Sequence, residues 1–430
     1  MKALVFERKP VRYAAGTMAG ALRAGRGARF GPLELRDVDP PELPGPGWVR
    51  LRPRLAGICG SDLATLDGKA SRYFEPIVSF PFVPGHEIVA EIIGDTETSD
   101  DTWDDPVGDR WAPVRGTRVV VVPILHCATR GIRPPCAMCR MGRINLCERI
   151  AFGHIEPGLQ SGFCESTGGG WSFEMVAHRS QLVPVPDDLS DEEAVLVEPL
   201  ACAVHAARSV GDAEVAVIGS GTLGLLPISA LRSIQSPQGP LIATAKHPEQ
   251  RRWAKELGAD IACAPGELER VVRSAKASLR LRNGQLTSGT AAVVDCVGSP
   301  ASLAQAVRVC APGGTVHLVG MPGVTKLDMT PVWQREVSLR GTYAYTVGRN
   351  HADDSAGSSD GGGSDGDRYG SEPDDFATAI ELVGSLGLGR LVSATYPVTR
   401  YQDAIAHAAE AGARGAVKIA FDMRPDNRRS

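Results

Sequence analysis

The chain has 430 residues, 43% of them hydrophobic, which is enough to bury a large core and more than one domain usually holds, so two domains are expected. A formal net charge of −4 and an aromatic fraction of 5% exclude the basic surface that nucleic-acid binding needs and leave small molecules as the expected partners. The opening MKALVFERKPVRY has no long apolar stretch leading to a small-residue cleavage site, and no apolar run approaches a membrane span. A cytoplasmic protein without a membrane partner is therefore the expectation.

Up to about residue 185, short apolar runs alternate with Gly and Pro turns: WVRLRPRLAGI, FVPGHEIVAEII, TRVVVVPIL, FEMVAH and QLVPVP. This is the pattern of a β-rich domain with few helix signals. From Ser190 the texture changes. Ser190 and Glu193 are spaced as a capping box, and strand-like and helix-like segments then alternate, which implies a parallel sheet. Six strand candidates follow (EVAVIG, LIATA, IACAP, AAVVDCVG, TVHLVG, VSLRGTY), with helical stretches such as PEQRRWAKELG and PASLAQAVRVCA between them. Six strands suit a doubly wound nucleotide-binding sheet. Two polar segments, 94–109 and 350–375, lack the apolar content to order themselves, and a disordered loop is expected near 350–373. Beyond them DFATAIELVGSLGLG and RYQDAIAHAAEAGA read as helices and AVKIAFDM as a closing strand. The expected division is a β-rich domain over 1–189, a dinucleotide domain over 190–342, and a return to the first domain over 343–430.

Three constellations carry chemistry. Gly219, Gly221 and Gly224 follow an apolar strand and open a helix. That spacing gives a tight turn, close backbone approach to a pyrophosphate and N–H groups facing its oxygens, with Thr222 and Leu223 inside the turn. Four of the ten cysteines, Cys127, Cys136, Cys139 and Cys147, crowd one Gly-, Pro- and Arg-rich loop, and four thiolates of this kind close a structural zinc site; free buried thiols are the alternative. The third is His86 beside Glu87 in PFVPGHEIVAEI, which alone means no more than a hydrogen-bonded pair, together with Cys59, Ser61 and Asp62 in LAGICGSDLATLDG. At the end of the second sheet strand, Ala245 stands where an acidic residue would bind a ribose 2′-OH, followed by Lys246, His247 and Arg251. The missing carboxylate and the nearby cations favour NADP over NAD.

Taken in order, GICGSD, PGHE, the four-cysteine loop ending NLC, EPLACAVHA and GxGxxG resemble the zinc-containing medium-chain dehydrogenases, especially the polyol, threonine and glucose dehydrogenase branch, over nearly the whole chain. The resemblance implies an N-terminal GroES-like catalytic domain and a Rossmann sheet in an α/β protein. It implies catalytic zinc held by Cys59 and His86, with Glu87 or Glu198 as a further ligand, Asp62 orienting His86, and Ser61 taking the alcohol proton. The expected activity is hydride transfer between an alcohol or polyol CH–OH group and NAD(P), in a homodimer or homotetramer. Two departures matter. Ala64 replaces the histidine that commonly relays the proton, which either breaks the relay or reroutes it through ribose hydroxyls and water. Arg133 replaces a cysteine, so Cys127 joins the structural site only if the intervening loop folds back. Cys164, Cys202, Cys263, Cys296 and Cys310 read as core fillers, and His205 as a core histidine. A zinc-free quinone or enone reductase and a non-catalytic nucleotide-binding redox sensor are the competing readings.

Overall fold

In Trp48–Gly57, Val49, Leu51, Pro53 and Leu55 are buried while Arg50, Arg52 and Arg54 turn outward, the period-two pattern of a strand with one face on a core. A computed structural model, which describes residues 1–69, 75–94, 113–282, 284–348 and 374–425, makes this strand the middle of a seven-stranded sheet. Its order is Val392–Pro397, Lys418–Asp422, Trp48–Gly57, Ile88–Ile92, Arg118–Val121 and Leu182–Pro184, with Met175–His178 also paired to Trp48–Gly57. The two strands from the end of the described chain thus complete a sheet built from its first half, Ala420 lying opposite Gly57.

The second sheet has six strands, all parallel, in the order Ile261–Cys263, Ile242–Thr244, Val215–Ile218, Thr290–Asp295, Cys310–Leu318 and Ser338–Gly341. Counted along the chain this is 3-2-1-4-5-6, the doubly wound arrangement whose strand order reverses beside the first strand and leaves a crevice at the carboxyl ends. All six strands were legible in the sequence. Helix Val197–Val210 lies between the sheets, and one apolar cluster containing Leu55, Val120, Leu200, Val204, Val217 and Leu225 runs from one to the other.

Four local expectations are corrected. The first half contains a 13-residue helix, Pro10–Leu22, where few helix signals were read. Pro10 starts it, and its face toward the protein is made of Gly16 and Gly20, so no apolar periodicity marks it. His86 and Glu87 precede their strand, which begins at Ile88 after a left-handed Gly85 (φ +98°). Cys310 and Ala311 belong to a strand rather than to the preceding helix, which stops at Val309 because Pro312 and Gly313 cannot continue it. His205 is only half-buried and hydrogen-bonds Asp375. The loop expected near 350–373 lies outside the described residues, as does the first polar segment from residue 95 onward. Among the described residues no helix is long and apolar enough to cross a membrane.

Asp375 is fully buried and ties this region together. It accepts from Thr346 N and Thr346 Oγ1, both at 2.9 Å, from His205 Nδ1 at 2.8 Å and from Arg208 Nη1 at 2.6 Å, while its own N–H bonds Thr346 O at 3.2 Å. Residues 346 and 375 are thereby clasped to helix Val197–Val210. Asp375→Ala removes the acceptor shared by His205, Arg208 and Thr346 and is expected to lower unfolding free energy by about 2–3 kcal/mol. Urea unfolding at constant m-value measures this, and an unchanged midpoint would show that the clasp adds nothing.

Candidate active site

Cys59 occupies the N-cap of the short helix Gly60–Leu66, and Asp62 closes the capping box by accepting from Cys59 N at 2.9 Å. The turn after Val83 and the strand starting at Ile88 bring His86 and Glu87 to the same place, where the ligand atoms of Cys59, His86 and Glu87 all lie within 4.8 Å of one another. His86 and Glu87 are buried and Cys59 is half-buried. Asp62 Oδ1 stands 3.5 Å from His86 Nδ1, and Ser61 Oγ is 3.5 Å from His86 Nε2. Asp62 therefore caps the helix with one oxygen and faces the imidazole with the other. Burial opposes a charged His86, but Asp62 and Cys59 outweigh it and hold its pKa well above the ordinary value. Thiol, imidazole and carboxylate converging in a dry corner form a donor set that fits zinc.

Glu198 sits in the first turn of helix Val197–Val210 and borders the same cavity. Burial pushes its pKa up to about 7; His86 and Lys418 oppose this, while Glu87 adds to it. Cys202, one turn on, places its thiol 3.8 Å from Glu198 Oε1, so it lines the cavity rather than filling core. Lys418 Nζ forms a buried ion pair with Glu87 and donates to Ile58 O at 3.2 Å. The cavity has a volume of about 510 Å³ and is lined by Ser61, Leu63, Ala64, Val78, Phe163 and Tyr343 as well as by Gly221 to Gly224, Cys296 and Val297.

The four-cysteine loop does fold back. Cys127 O accepts from Ile132 N at 3.0 Å, Cys136 N points at Cys127 Sγ at 3.3 Å, and all four sulfurs fall within 4.8 Å of one another, buried and without a disulfide. Cys127 and Cys147 sulfurs are 3.7 Å apart. Tetrahedral zinc with Zn–S bonds near 2.3 Å separates its sulfurs by about 3.8 Å, so the cluster has the dimensions of a closed site. Contact with Cys139 leads in drawing the Cys147 thiol down to about 6, while burial pushes Cys127 up to about 11.

In the glycine turn, Gly219 is left-handed (φ +91°), and a Cβ at Gly224 would overlap Gly219 O. A Cβ at Gly221 would meet nothing within 4 Å, so the turn opens onto free space where a pyrophosphate would lie, with helix Thr222–Ile234 starting there. Gly219 N donates to Thr244 Oγ1 at 3.2 Å and Ser220 Oγ to Thr244 O at 2.9 Å, fixing the turn to the second strand. Thr222 Oγ1 bonds Val417 O at 3.1 Å, and Leu223 also borders the cavity. Ala245 is buried, and Arg251 Nη1 donates to Ala245 O at 2.8 Å and Lys246 O at 3.0 Å. Lys246 is exposed, and His247 is the N-cap of helix Pro248–Glu256.

Sequence reasoning missed Lys418 and Tyr343. Lys418 did carry a signal, as the lone cation in the apolar strand AVKIAFDM. Tyr343 carried none.

Residues 45–187 match a family model described as alcohol dehydrogenase GroES-like domain, and residues 223–355 one described as zinc-binding dehydrogenase. The chain is 31% identical over 307 residues to sorbitol dehydrogenase of Arabidopsis thaliana, covering 70% of this chain and 75% of that protein. It is 28% identical over 320 residues to L-idonate 5-dehydrogenase of Vitis vinifera, covering 72% and 77%. Among solved structures, 2R,3R-butanediol dehydrogenase from Bacillus subtilis shares the fold with a TM-score of 0.66 at 21% identity over 98% of this chain and 99% of that one. A Sinorhizobium meliloti 1021 protein solved with NADP does so with a TM-score of 0.66 at 22% identity, over 98% of both. The two matched family models, the relatives and the two-sheet fold agree: the chain belongs to the zinc-containing medium-chain alcohol dehydrogenases, in the polyol dehydrogenase branch, oxidoreductases that move a hydride between a CH–OH carbon and NAD(P).

Proposed function

We propose that this protein oxidises a small alcohol or polyol, in the cytoplasm, at the corner formed by Cys59, His86, Glu87 and Glu198. The observation that carries this reading is the convergence of Cys59, His86 and Glu87 in a cavity that the Gly221 to Gly224 turn also lines. Residues 1–189 and 343–430 form the catalytic part and residues 190–342 hold the dinucleotide. The relatives that act on sorbitol, idonate and butanediol support a substrate with neighbouring hydroxyls.

When bound, zinc supplies a Lewis acid that lowers the pKa of the alcohol oxygen, and nicotinamide supplies the hydride acceptor. Cys59 and His86 would hold the metal with one carboxylate, Glu87 and Glu198 being alternates. Asp62 fixes the His86 ring through Nδ1 and leaves Nε2 for the metal side. Ser61 Oγ accepts the alcohol proton as it gives its own to water or a cofactor ribose hydroxyl, because Ala64 has no group to take it. Cys127, Cys136, Cys139 and Cys147 hold a second, structural zinc. Gly219, Gly221, Thr222, Leu223 and Gly224 cradle the pyrophosphate, while Lys246, His247 and Arg251 surround the adenosine ribose. A homodimer or homotetramer is supported by the outer edge of Ser338–Gly341, which pairs with no strand among the described residues, and by exposed apolar side chains beside it, Trp333 at 71% and Val324 at 87%.

Three measurements test these assignments. Wild type should carry about two zinc per chain. Cys59→Ala or His86→Ala should lose one zinc and turnover yet still quench on cofactor binding, whereas Cys136→Ser with Cys139→Ser should lose the other zinc and stability; full activity in either single variant would end the catalytic assignment. In cofactor competition at matched concentration NADP should win, and Ala245→Asp should move preference toward NAD, because a carboxylate repels the 2′-phosphate. A wild type that prefers NAD refutes the basic-pocket reading alone. Sedimentation at micromolar concentration should give an oligomer that Trp333→Glu weakens, and a monomeric wild type would remove the edge contact.

A further inference from the structure

The NLC stretch has a role beyond supplying Cys147. Asn145 Nδ2 donates to the backbone carbonyl of Tyr343 at 2.7 Å. One further tie joins the same pieces of chain: Val347 N bonds Gly142 O at 3.4 Å, and Gly142, like Asn145, lies between Cys139 and Cys147. The residue after Tyr343 is Ala344, held at φ +53°, a left-handed conformation that alanine rarely adopts. This flip sends neighbouring rings opposite ways. Tyr345 is fully buried and packs edge-on to Phe376 at 5.1 Å, while Tyr343 keeps 37% of its surface accessible and borders the active-site cavity. Tyr343 lines the same cavity as Cys202 and Glu198. A strained residue at a ligand cavity persists only where its surroundings hold it.

We propose that Asn145 is a positioning residue for substrate: by fixing the Tyr343 carbonyl it holds the peptide that forces Ala344 left-handed and turns the Tyr343 ring toward the alcohol. The inference rests on the cavity being the alcohol site proposed above. The four-cysteine lobe thereby shapes substrate recognition as well as stabilising the fold, because its closure sets where Asn145 stands. Asn145 touches neither the catalytic metal set nor the glycine turn, so cofactor affinity is independent of it.

The test is Asn145→Ala beside Asn145→Asp, which keeps the side-chain shape and removes the donor. Both should raise KM for the alcohol about fivefold, the factor that one net hydrogen bond is worth, with KM for the cofactor and zinc content unchanged. Hydrogen exchange at 342–347 should quicken while Val215–Ile218 stays protected. Adding Ala344→Gly to Asn145→Ala should recover part of the alcohol KM, since glycine takes the left-handed state without support. An active wild type whose variants keep the same alcohol KM, or a double variant with no recovery despite folding, overturns the positioning role. A wild type that turns over no alcohol refutes instead the function assigned to the cavity, and this role with it. If Asn145→Ala does not fold, Asn145→Asp with Ala344→Gly gives the same comparison.

Discussion

The cavity floor depends on one buried ion pair. Glu87 and Lys418 are 1% and 2% exposed, and two full charges stay in so dry a place only when each faces the other, because an unpartnered charge there would cost several kcal/mol. Burial alone would lower the Lys418 pKa, but Glu87 and Cys59 outweigh it and keep the ammonium charged. The pair also has a mechanical effect. Lys418 holds Ile58 O, the carbonyl next to Cys59, so the strand Lys418–Asp422 has to dock on Trp48–Gly57 before the thiol, the imidazole and the carboxylate reach one corner. Gly57 is required for the same reason, since a Cβ there would overlap Glu87 Oε2.

Helix Val197–Val210 transmits that arrangement to the other sheet. Its first turn presents Glu198 to the cavity, its middle carries Cys202, and its later turns give His205 and Arg208 to Asp375. Fourteen residues make a rod of about 21 Å, and buried apolar side chains cover most of it. The same element therefore fixes a candidate metal carboxylate and anchors the chain as it returns to the first sheet. The polar residues toward its two ends, Glu198, His205 and Arg208, each have a named protein partner.

What could be read from the sequence divides along physical lines. The doubly wound sheet was legible because its inner strands Val215–Ile218 and Ile242–Thr244 are largely apolar and buried on both faces and helical stretches separate the strands, and the glycine turn was legible because its spacing reflects a steric need. Cys127 was legible as a candidate, but whether it would reach the other three thiols depended on a loop path that local pattern does not encode. Pro10–Leu22 escaped because its contact face is made of glycines, and Lys418 because a buried cation has meaning only once Glu87, some 330 residues earlier in the chain, stands opposite it. Asn145 was quoted within NLC only as a mark of resemblance. Its partner is a backbone carbonyl, and backbone groups have no sequence signature.

The pairing of Trp48–Gly57 with Lys418–Asp422 also bears on how the protein is made. Ile58 and Lys418 are 360 residues apart. At 5–20 residues per second a ribosome needs about 18–72 s to synthesise that interval, during which the Leu55–Gly57 end of the sheet's middle strand lacks the partner that Lys418–Asp422 later supplies. An open, apolar strand edge invites pairing with other chains. The yield of native protein in a cell should then depend on translation speed and on whatever shields that edge in the meantime, a liability created by the same long-range closure that completes the catalytic corner.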